Sequence, residues 1–154
     1  MFEILPMKPS HIDEVLKLEE NIFPIPWTKG DFEREMNENP MAVYFVAVSD
    51  GKVVGYGGMW HVVTEGHITN IAVSFEHRRQ GIGEALTQAL IDEAFKREMI
   101  GLTLEVRITN EKAQRLYTKL GFKPEGIRKR YYSDTGEDAV IMWKYFEFYE
   151  NYKA

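Results

Sequence analysis

The chain has 154 residues, no cysteine and a formal net charge of −5; that length suits one domain with its own core, and the missing cysteine excludes a disulfide framework, a thiolate zinc site and a cysteine nucleophile. The acidic balance argues against direct nucleic-acid binding, which needs a basic footprint, and leaves room for a basic partner. The start, Met1-Phe-Glu-Ile-Leu-Pro-Met-Lys-Pro9, lacks the basic head and apolar stretch of a signal peptide, and no apolar run approaches the ~18 residues of a membrane span, so a soluble cytoplasmic protein with no membrane contact is expected.

Phe2 to Leu5 reads as a first strand. Ser10-His-Ile-Asp13 resembles a capping box ahead of a helix whose stripe is Ile12, Val15, Leu16 and Leu18. Phe23-Pro-Ile-Pro-Trp27 cannot continue that helix, and Thr28 to Asp31 start a second one ending near Pro40. Met41 to Val48 is a β-branched and aromatic run, Asp50-Gly51 is a hairpin turn, and Lys52 to Val63 is the return strand. Gly55, Gly57 and Gly58 invite a bulge or close backbone approach there. Glu65-Gly66 is expected to turn into a strand over 67–74. A long helix from Gly81 carries Ile82, Leu86, Ala89, Leu90, Ala94 and Phe95 on one stripe, and Gly101 ends the following connection.

Leu102 to Ile108 alternates cleanly, with Leu102, Leu104, Val106 and Ile108 on one face and Thr103, Glu105 and Arg107 on the other. Asn110 can cap a fourth helix, with Ala113, Leu116, Tyr117 and Leu120 on its inner face and Gly121 as its stop. Phe122 to Tyr132 and Asp138 to Lys144 read as a last hairpin, followed by the aromatic and acidic Tyr145 to Glu150. The order β-α-α-β-β-β-α-β-α-β-β implies a mixed α/β sheet in one domain, 1–154.

Three features carry chemistry. Arg78-Arg-Gln-Gly-Ile-Gly83 joins a strand to a helix, where unpaired backbone N–H groups, the helix dipole and glycine permissiveness together favour an anion; the alternative is a tight turn with solvated arginines. It lacks the Gly-Lys-Ser/Thr of a P-loop and the third glycine of a dinucleotide fingerprint. Glu105 and Arg107 on one strand face imply an open cleft or a mutual ion pair; in a cleft, a partly desolvated Glu105 is raised toward a useful general base. Tyr117 is either a core aromatic or a phenol that donates a proton, and Asn110 a cap, a ligand contact or both. His11, His61, His67 and His77 show no metal-ligand spacing, so no metal is expected; His67 reads as structural or as an aid to proton transfer. No serine sits in a nucleophile elbow, so direct transfer between two bound substrates is the better fit.

The strand, the Arg78–Gly83 turn and the long helix resemble the acetyl-CoA signature of the GNAT acetyltransferases, and Leu104-Glu-Val-Arg-Ile-Thr-Asn110 through Tyr117 to Gly121-Phe122, with Ile127 to Tyr132 and Glu137 to Met142, resembles that family's RimI type. The resemblance implies a single-domain fold with a mixed, mostly antiparallel sheet of about seven strands flanked by four helices and splayed at the cofactor site. It implies transfer of an acetyl group from acetyl-CoA to the N-terminal alanine of a small-subunit ribosomal protein, a basic partner, by a monomer without metal. Backbone groups of Ile71, Ala72 and Val73 would bind the pantetheine arm; Arg79, Gln80, Gly81, Ile82, Gly83 and Glu84 would hold the pyrophosphate, and Asn110 would contact the cofactor. Glu105 would be the general base and Tyr117 the acid, with Phe23, Pro24 and Trp27 facing Tyr131 and Tyr132 across the peptide channel. A broader N-terminal or small-amine acetyltransferase, and an acetyl-CoA-binding module without catalysis, are the competing readings.

Overall fold

Residues 1–147 are described by the computed structural model. Their strands are β1 (Glu3–Pro6), β2 (Ala42–Ser49), β3 (Lys52–Val62), β4 (Glu65–Val73), β5 (Gly101–Arg107), β6 (Lys123–Arg128) and β7 (Ala139–Tyr145). Their α-helices are α1 (Ile12–Ile22), α2 (Lys29–Glu38), α3 (Ile82–Lys96) and α4 (Glu111–Lys119). The strands order as β1-β2-β3-β4-β5-β7-β6 in one sheet. β1·β2, β2·β3, β5·β7 and β6·β7 are antiparallel, and β4·β5 is parallel over Glu65↔Gly101, Gly66↔Leu102 and His67↔Thr103. The expected mixed, mostly antiparallel sheet with four helices is the observed one.

The chain clusters into two compact units, the first made of Met1–His61 and Ile68–Glu93, the second of Val62–His67 and the chain from Ala94 on. In the first, Val15, Phe32, Val46 and Tyr56 centre one apolar cluster, and Ala47, Val54, Ile82 and Leu86 form another. The glycines of β3 decide how close its neighbours come. A Cβ on Gly55 would lie 3.1 Å from Ile82 and 3.2 Å from Leu86, and one on Gly57 would lie 2.9 Å from Ile71. A register shift at Ala47/Val48 leaves Val54 as the extra residue of a bulge beside Gly55. Gly58 pairs with Tyr44, whose ring crosses the place of the missing side chain.

In the second unit, the inner face of β5 buries Leu102, Leu104 and Val106, with Phe122, Val140 and Met142 also buried. Gly101 is required at the start of β5, because a Cβ there would meet the Lys144 carbonyl oxygen at 2.5 Å. Phe146 is buried and packs edge-on against Phe95 at 5.6 Å. The start of the expected C-terminal aromatic segment thus extends β7 and packs; its residues 148–150 lie outside the described ones.

Several local expectations are corrected. Ser10 does not cap α1: it lies inside a 3-10 turn, Pro9–His11, and His11 Nδ1 accepts the Lys8 N–H at 2.9 Å. The turn before β4 falls on 63–64, two residues early, with Val63 exposed at φ 56°, while Glu65 and Gly66 are already in the parallel ladder. Helix α3 stops at Lys96 because Glu98 takes φ 58° and the Glu98 and Met99 N–H groups fold back on Phe95 and Ala94. Phe95 is therefore an exposed edge of the stripe, and Ile108, past the end of β5, is exposed too. β6 ends at Arg128, so Tyr131 and Tyr132 belong to a loop.

The Tyr44–Gly58 packing gives a test. Gly58→Ala forces the buried Tyr44 ring aside, and overpacking of this kind costs about 1–3 kcal/mol. The expected result is a lower urea midpoint with an unchanged slope; an unaltered midpoint refutes the packing.

Candidate active site

The turn that follows β4 sits in the first unit. Ala72 is buried and Ile71 and Val73 half-buried in β4. Ser74 N–H donates to the Val54 carbonyl at 2.8 Å, which fixes the strand's exit. Arg79 has φ 65° and Gly81 φ 79°. Two left-handed residues so close together turn the backbone sharply into α3. The first helical bond runs from Ala85 N–H to the Gly81 carbonyl at 3.0 Å, so the N–H groups of Ile82 and Gly83 precede it and have no partner inside the helix. Arg79, Gln80 and Gly81 are exposed, and Ile82, inserted into the core, anchors the turn. Thr87, fully buried, donates to the Gly83 carbonyl at 2.7 Å and firms the first turn. Arg78 is turned back: its guanidinium lies 4.1 Å over the Phe75 ring, leaving Arg79 as the arginine at the turn itself. These donors suit a pyrophosphate-bearing cofactor.

The same unit holds the Phe23–Trp27 segment. Glu19 closes it at both ends: its backbone carbonyl accepts the Phe23 N–H at 3.0 Å, and its side chain accepts the Trp27 N–H at 3.0 Å. The other carboxyl oxygen of Glu19 accepts the Tyr56 hydroxyl. Trp27 then leans on Phe32 at 5.2 Å. Beside it, a cavity of about 450 Å³ is lined by Trp27, Asp31, Arg34, Glu35, Glu38, Asn39 and Trp60. Glu35 accepts from Tyr44, Trp60 and Asn39 there. Burial, and then the hydrogen bond to Glu35, drives the Tyr44 phenol far up; its contact with Thr69 opposes this. None of the candidate catalytic residues lines this cavity.

The second unit carries the acid–base residues. Glu105, on β5, does not pair with Arg107: it makes an ion pair with Arg128 Nε of β6 at 3.1 Å. Arg107 turns to the loop between β6 and β7, bonding Asp134 at 2.8 Å and Glu137 at 3.3 Å. Its hydrogen bond holds the Asp134 carboxyl below its ordinary range, and Thr109 does the same for Glu137. Tyr131 and Tyr132 meet edge-on at 5.1 Å. Burial raises both phenols, Tyr132 to about 12, and the charge on Glu105 raises both further. The structure thus brings Glu105, Tyr131 and Tyr132 into one electrostatic neighbourhood.

Tyr117 is positioned by how α4 ends. Gly121, at φ 100°, lets its own N–H bond the Thr118 carbonyl and the Phe122 N–H bond the Tyr117 carbonyl at 2.9 Å. This is the Schellman arrangement, and its usual apolar contact is here the Tyr117–Phe122 ring pair at 5.8 Å. Burial pushes the Tyr117 phenol up to about 12, with Tyr132 adding to the shift. Asn110 is the cap of α4: its side-chain oxygen accepts the Ala113 N–H at 3.1 Å. Gln114 secures the same corner by donating to the carbonyls of Arg107 and Ile108. His67 bonds Glu65 at 3.0 Å. Among the described residues, no group of three His, Asp or Glu side chains could hold a metal, and no helix is long and apolar enough to cross a membrane.

Residues 12–122 match the Acetyltransferase (GNAT) family. A Bacillus subtilis (strain 168) protein, provisionally named a ribosomal protein bS18-alanine N-acetyltransferase, is 46% identical over 89% of this chain and 91% of its own. The ribosomal protein bS18-alanine N-acetyltransferase of Escherichia coli (strain K12) is 35% identical over 92% of this chain and 96% of its own. The crystal structure of the Escherichia coli ribosomal-protein-S18-alanine N-acetyltransferase superposes with a TM-score of 0.85 at 34% identity, covering 94% of each chain. The chain belongs to the GNAT acetyltransferase family.

Sequence reasoning missed Glu19, Arg128 and the partners of Arg107. Glu19 carried a signal: it falls four residues after Val15 on the buried stripe of α1, where a carboxyl needs donors. It yields a second test. Both Glu19 oxygens accept, whereas glutamine offers one acceptor and one donor group, so in Glu19→Gln either Trp27 N–H or the Tyr56 hydroxyl loses its acceptor. A loss of about 1–3 kcal/mol in chemical denaturation is expected; wild-type stability overturns this account of the loop.

Proposed function

We propose that the protein transfers the acetyl group of acetyl-CoA to the N-terminal alanine α-amine of a small-subunit ribosomal protein, by direct attack in a ternary complex. Residues 1–154 act as one acetyltransferase domain in the cytoplasm. The observation that carries the reading is the name of the relative that is 46% identical over 89% of the chain, joined to a Glu105 and a Tyr117 held in place for acid–base work.

Acetyl-CoA supplies the thioester. The Arg79–Glu84 turn holds its pyrophosphate through backbone N–H groups, and the backbone of Ile71, Ala72 and Val73 takes the pantetheine arm as a strand edge takes another extended chain. Asn110 contributes near the reactive end through its side-chain amide, its oxygen being the α4 cap. Phe23, Pro24 and Trp27 contribute one wall for the acceptor peptide, and Tyr131 and Tyr132 another. An α-amine has an ordinary pKa of ~7.7–8.0, so a modest base suffices to free it. Glu105 accepts that proton, through a water, as the ammonium arrives. Tyr117 donates toward the departing sulfur. With its phenol at about 12 rather than the ordinary 10, it is a weaker acid than free tyrosine, and its part is to hold a proton in hydrogen-bond reach of the thiolate as charge builds. The chemistry asks for a base and a proton donor and for no metal.

Glu105→Gln and Tyr117→Phe are each expected to lower kcat by about 10²-fold or more on an Ala-initiated peptide. Full kcat in both refutes the assignment. The pH dependence has a definite sign. Tyr117 acts as the neutral phenol, so raising its pKa keeps the active form present to higher pH; wild-type kcat should show no tyrosine-dependent fall up to pH ~10. A descending limb at pH ~9 that disappears in Tyr117→Phe contradicts this.

Gly81→Val tests the turn separately. A Cβ there meets nothing within 4 Å, yet φ 79° is a strained conformation for a β-branched residue, so the backbone is expected to shift. CoA affinity measured by titration calorimetry is expected to fall about tenfold or more, a loss of about 1.4 kcal/mol; unchanged affinity removes the turn from the cofactor site. Peptides beginning with Ala, Ser or Met, beside a free polyamine, test the acceptor: equal rates on the polyamine contradict the N-terminal reading.

A further inference from the structure

The loop between β6 and β7 has little backbone structure of its own. Its backbone–backbone bonds run from Gly136 N–H to the Tyr132 carbonyl at 2.7 Å and from Tyr132 N–H to the Glu137 carbonyl at 3.2 Å, and its own side chains accept the Arg130 N–H (Asp138, 2.9 Å) and the Glu137 N–H (Thr135, 3.2 Å). Arg130 and Gly136 both take positive φ, so the segment coils rather than extending the strands. Such a loop needs an outside fastening to hold one shape.

Arg107 supplies it. From the end of β5 its Nη2 donates to Asp134 at 2.8 Å, and its Nη1 donates to Thr135 at 3.1 Å and Glu137 at 3.3 Å. The guanidinium carbon lies 4.0 Å over the ring of Tyr132. Thr109 adds a bond to the second oxygen of Glu137. One planar group thus ties together three side chains across the loop and stacks on an aromatic wall, which lysine cannot reproduce. The Arg107 side chain is less than one-third exposed, at 31%, and its fork is engaged by three acceptors, which leaves it poorly suited to bind substrate directly. An isolated surface ion pair would contribute little, whereas this one is a network with a stacked ring.

We propose that Arg107 is a positioning residue for the acceptor: it holds the Tyr131–Tyr132 wall in the shape that receives the N-terminal peptide. The proposal rests on the acetyltransferase reading above and on those tyrosines as a peptide wall. It separates two jobs on one strand face, with Glu105 serving proton transfer and Arg107, two residues on, serving acceptor affinity.

The test uses the full chain, acetyl-CoA and an Ala-initiated peptide, comparing wild type with Arg107→Gln, Arg107→Lys and Asp134→Asn. Losing charge-assisted bonds of this kind should raise the peptide KM in Arg107→Gln by about tenfold. The kcat should stay within about threefold and the acetyl-CoA KM should be unchanged, because the chemistry and the cofactor turn are untouched. Arg107→Lys should recover part of the loss, and Asp134→Asn, which leaves β5 unaltered, should move the peptide KM the same way by less. Amide hydrogen exchange should quicken over 129–138 in Arg107→Gln and stay as in wild type over β5 and β7. Faster exchange with an unchanged peptide KM overturns the proposal, as does unchanged exchange. A fall in kcat with constant peptide KM also overturns it, since that would place Arg107 in the chemistry. If Arg107→Gln does not fold, Asp134→Asn decides by the same two readouts. A wild-type protein with no activity on any peptide overturns the acetyltransferase reading, and this proposal with it; wild-type turnover with an indifferent Arg107 overturns the proposal alone.

Discussion

The close approach of α3 to β3 is the constraint on which the first unit depends. Side chains are missing at Gly55 and Gly57, and Ile82, Leu86 and Ile71 occupy the space. Apolar packing has no direction of its own, but a helix seated on a glycine strip has little freedom to slide. Because Ile82 is both the first residue of α3 and a member of that contact, the helix end is fixed to within the tolerance of a core. The Arg79–Gly81 turn can then take left-handed geometry, since its far end is anchored in the core by Ile82.

The two loops proposed for acceptor recognition cannot be held in the same way. Neither Phe23–Trp27 nor the segment between β6 and β7 has a strand ladder to satisfy its backbone, and both display exposed side chains, such as Ile25 and Tyr131. Each is tied down by one charged side chain rooted in regular structure: Glu19 on α1 for the first, Arg107 on β5 for the second. An ionisable group is costly to bury alone, so it binds whichever donors or acceptors satisfy it, and that directionality sets the loop's shape.

What could be read from the sequence was local. The alternation of Leu102 to Val106, the Asp50-Gly51 turn and the Gly121 stop each follow from a few adjacent residues, and each is found where expected. The expectation failed where distant partners overrode local preference. Val63, a β-branched residue, turns the chain because Glu65 and Gly66 are drawn into the ladder with β5. The two charges of β5 were rightly placed on one face, but their partners come from β6 and from a loop 27 residues away, which depends on the register of a hairpin that sequence does not set. The environment of Tyr117 was equally hidden: its place in the helix was plain, whereas the burial that makes it a weak acid depends on how the rest of the unit surrounds it.

The ending of α4 has a consequence for how such a protein can diversify. Tyr117, Gly121 and Phe122 are joined by backbone bonds and a ring contact within six consecutive positions, so the candidate proton donor is oriented by a cassette that carries its own geometry. The walls proposed for the acceptor lie in separate loops with separate fastenings. Substitutions that retune which N-terminus is accepted can therefore accumulate in those loops while the donor stays put, and a lineage can change its targets without rebuilding its chemistry.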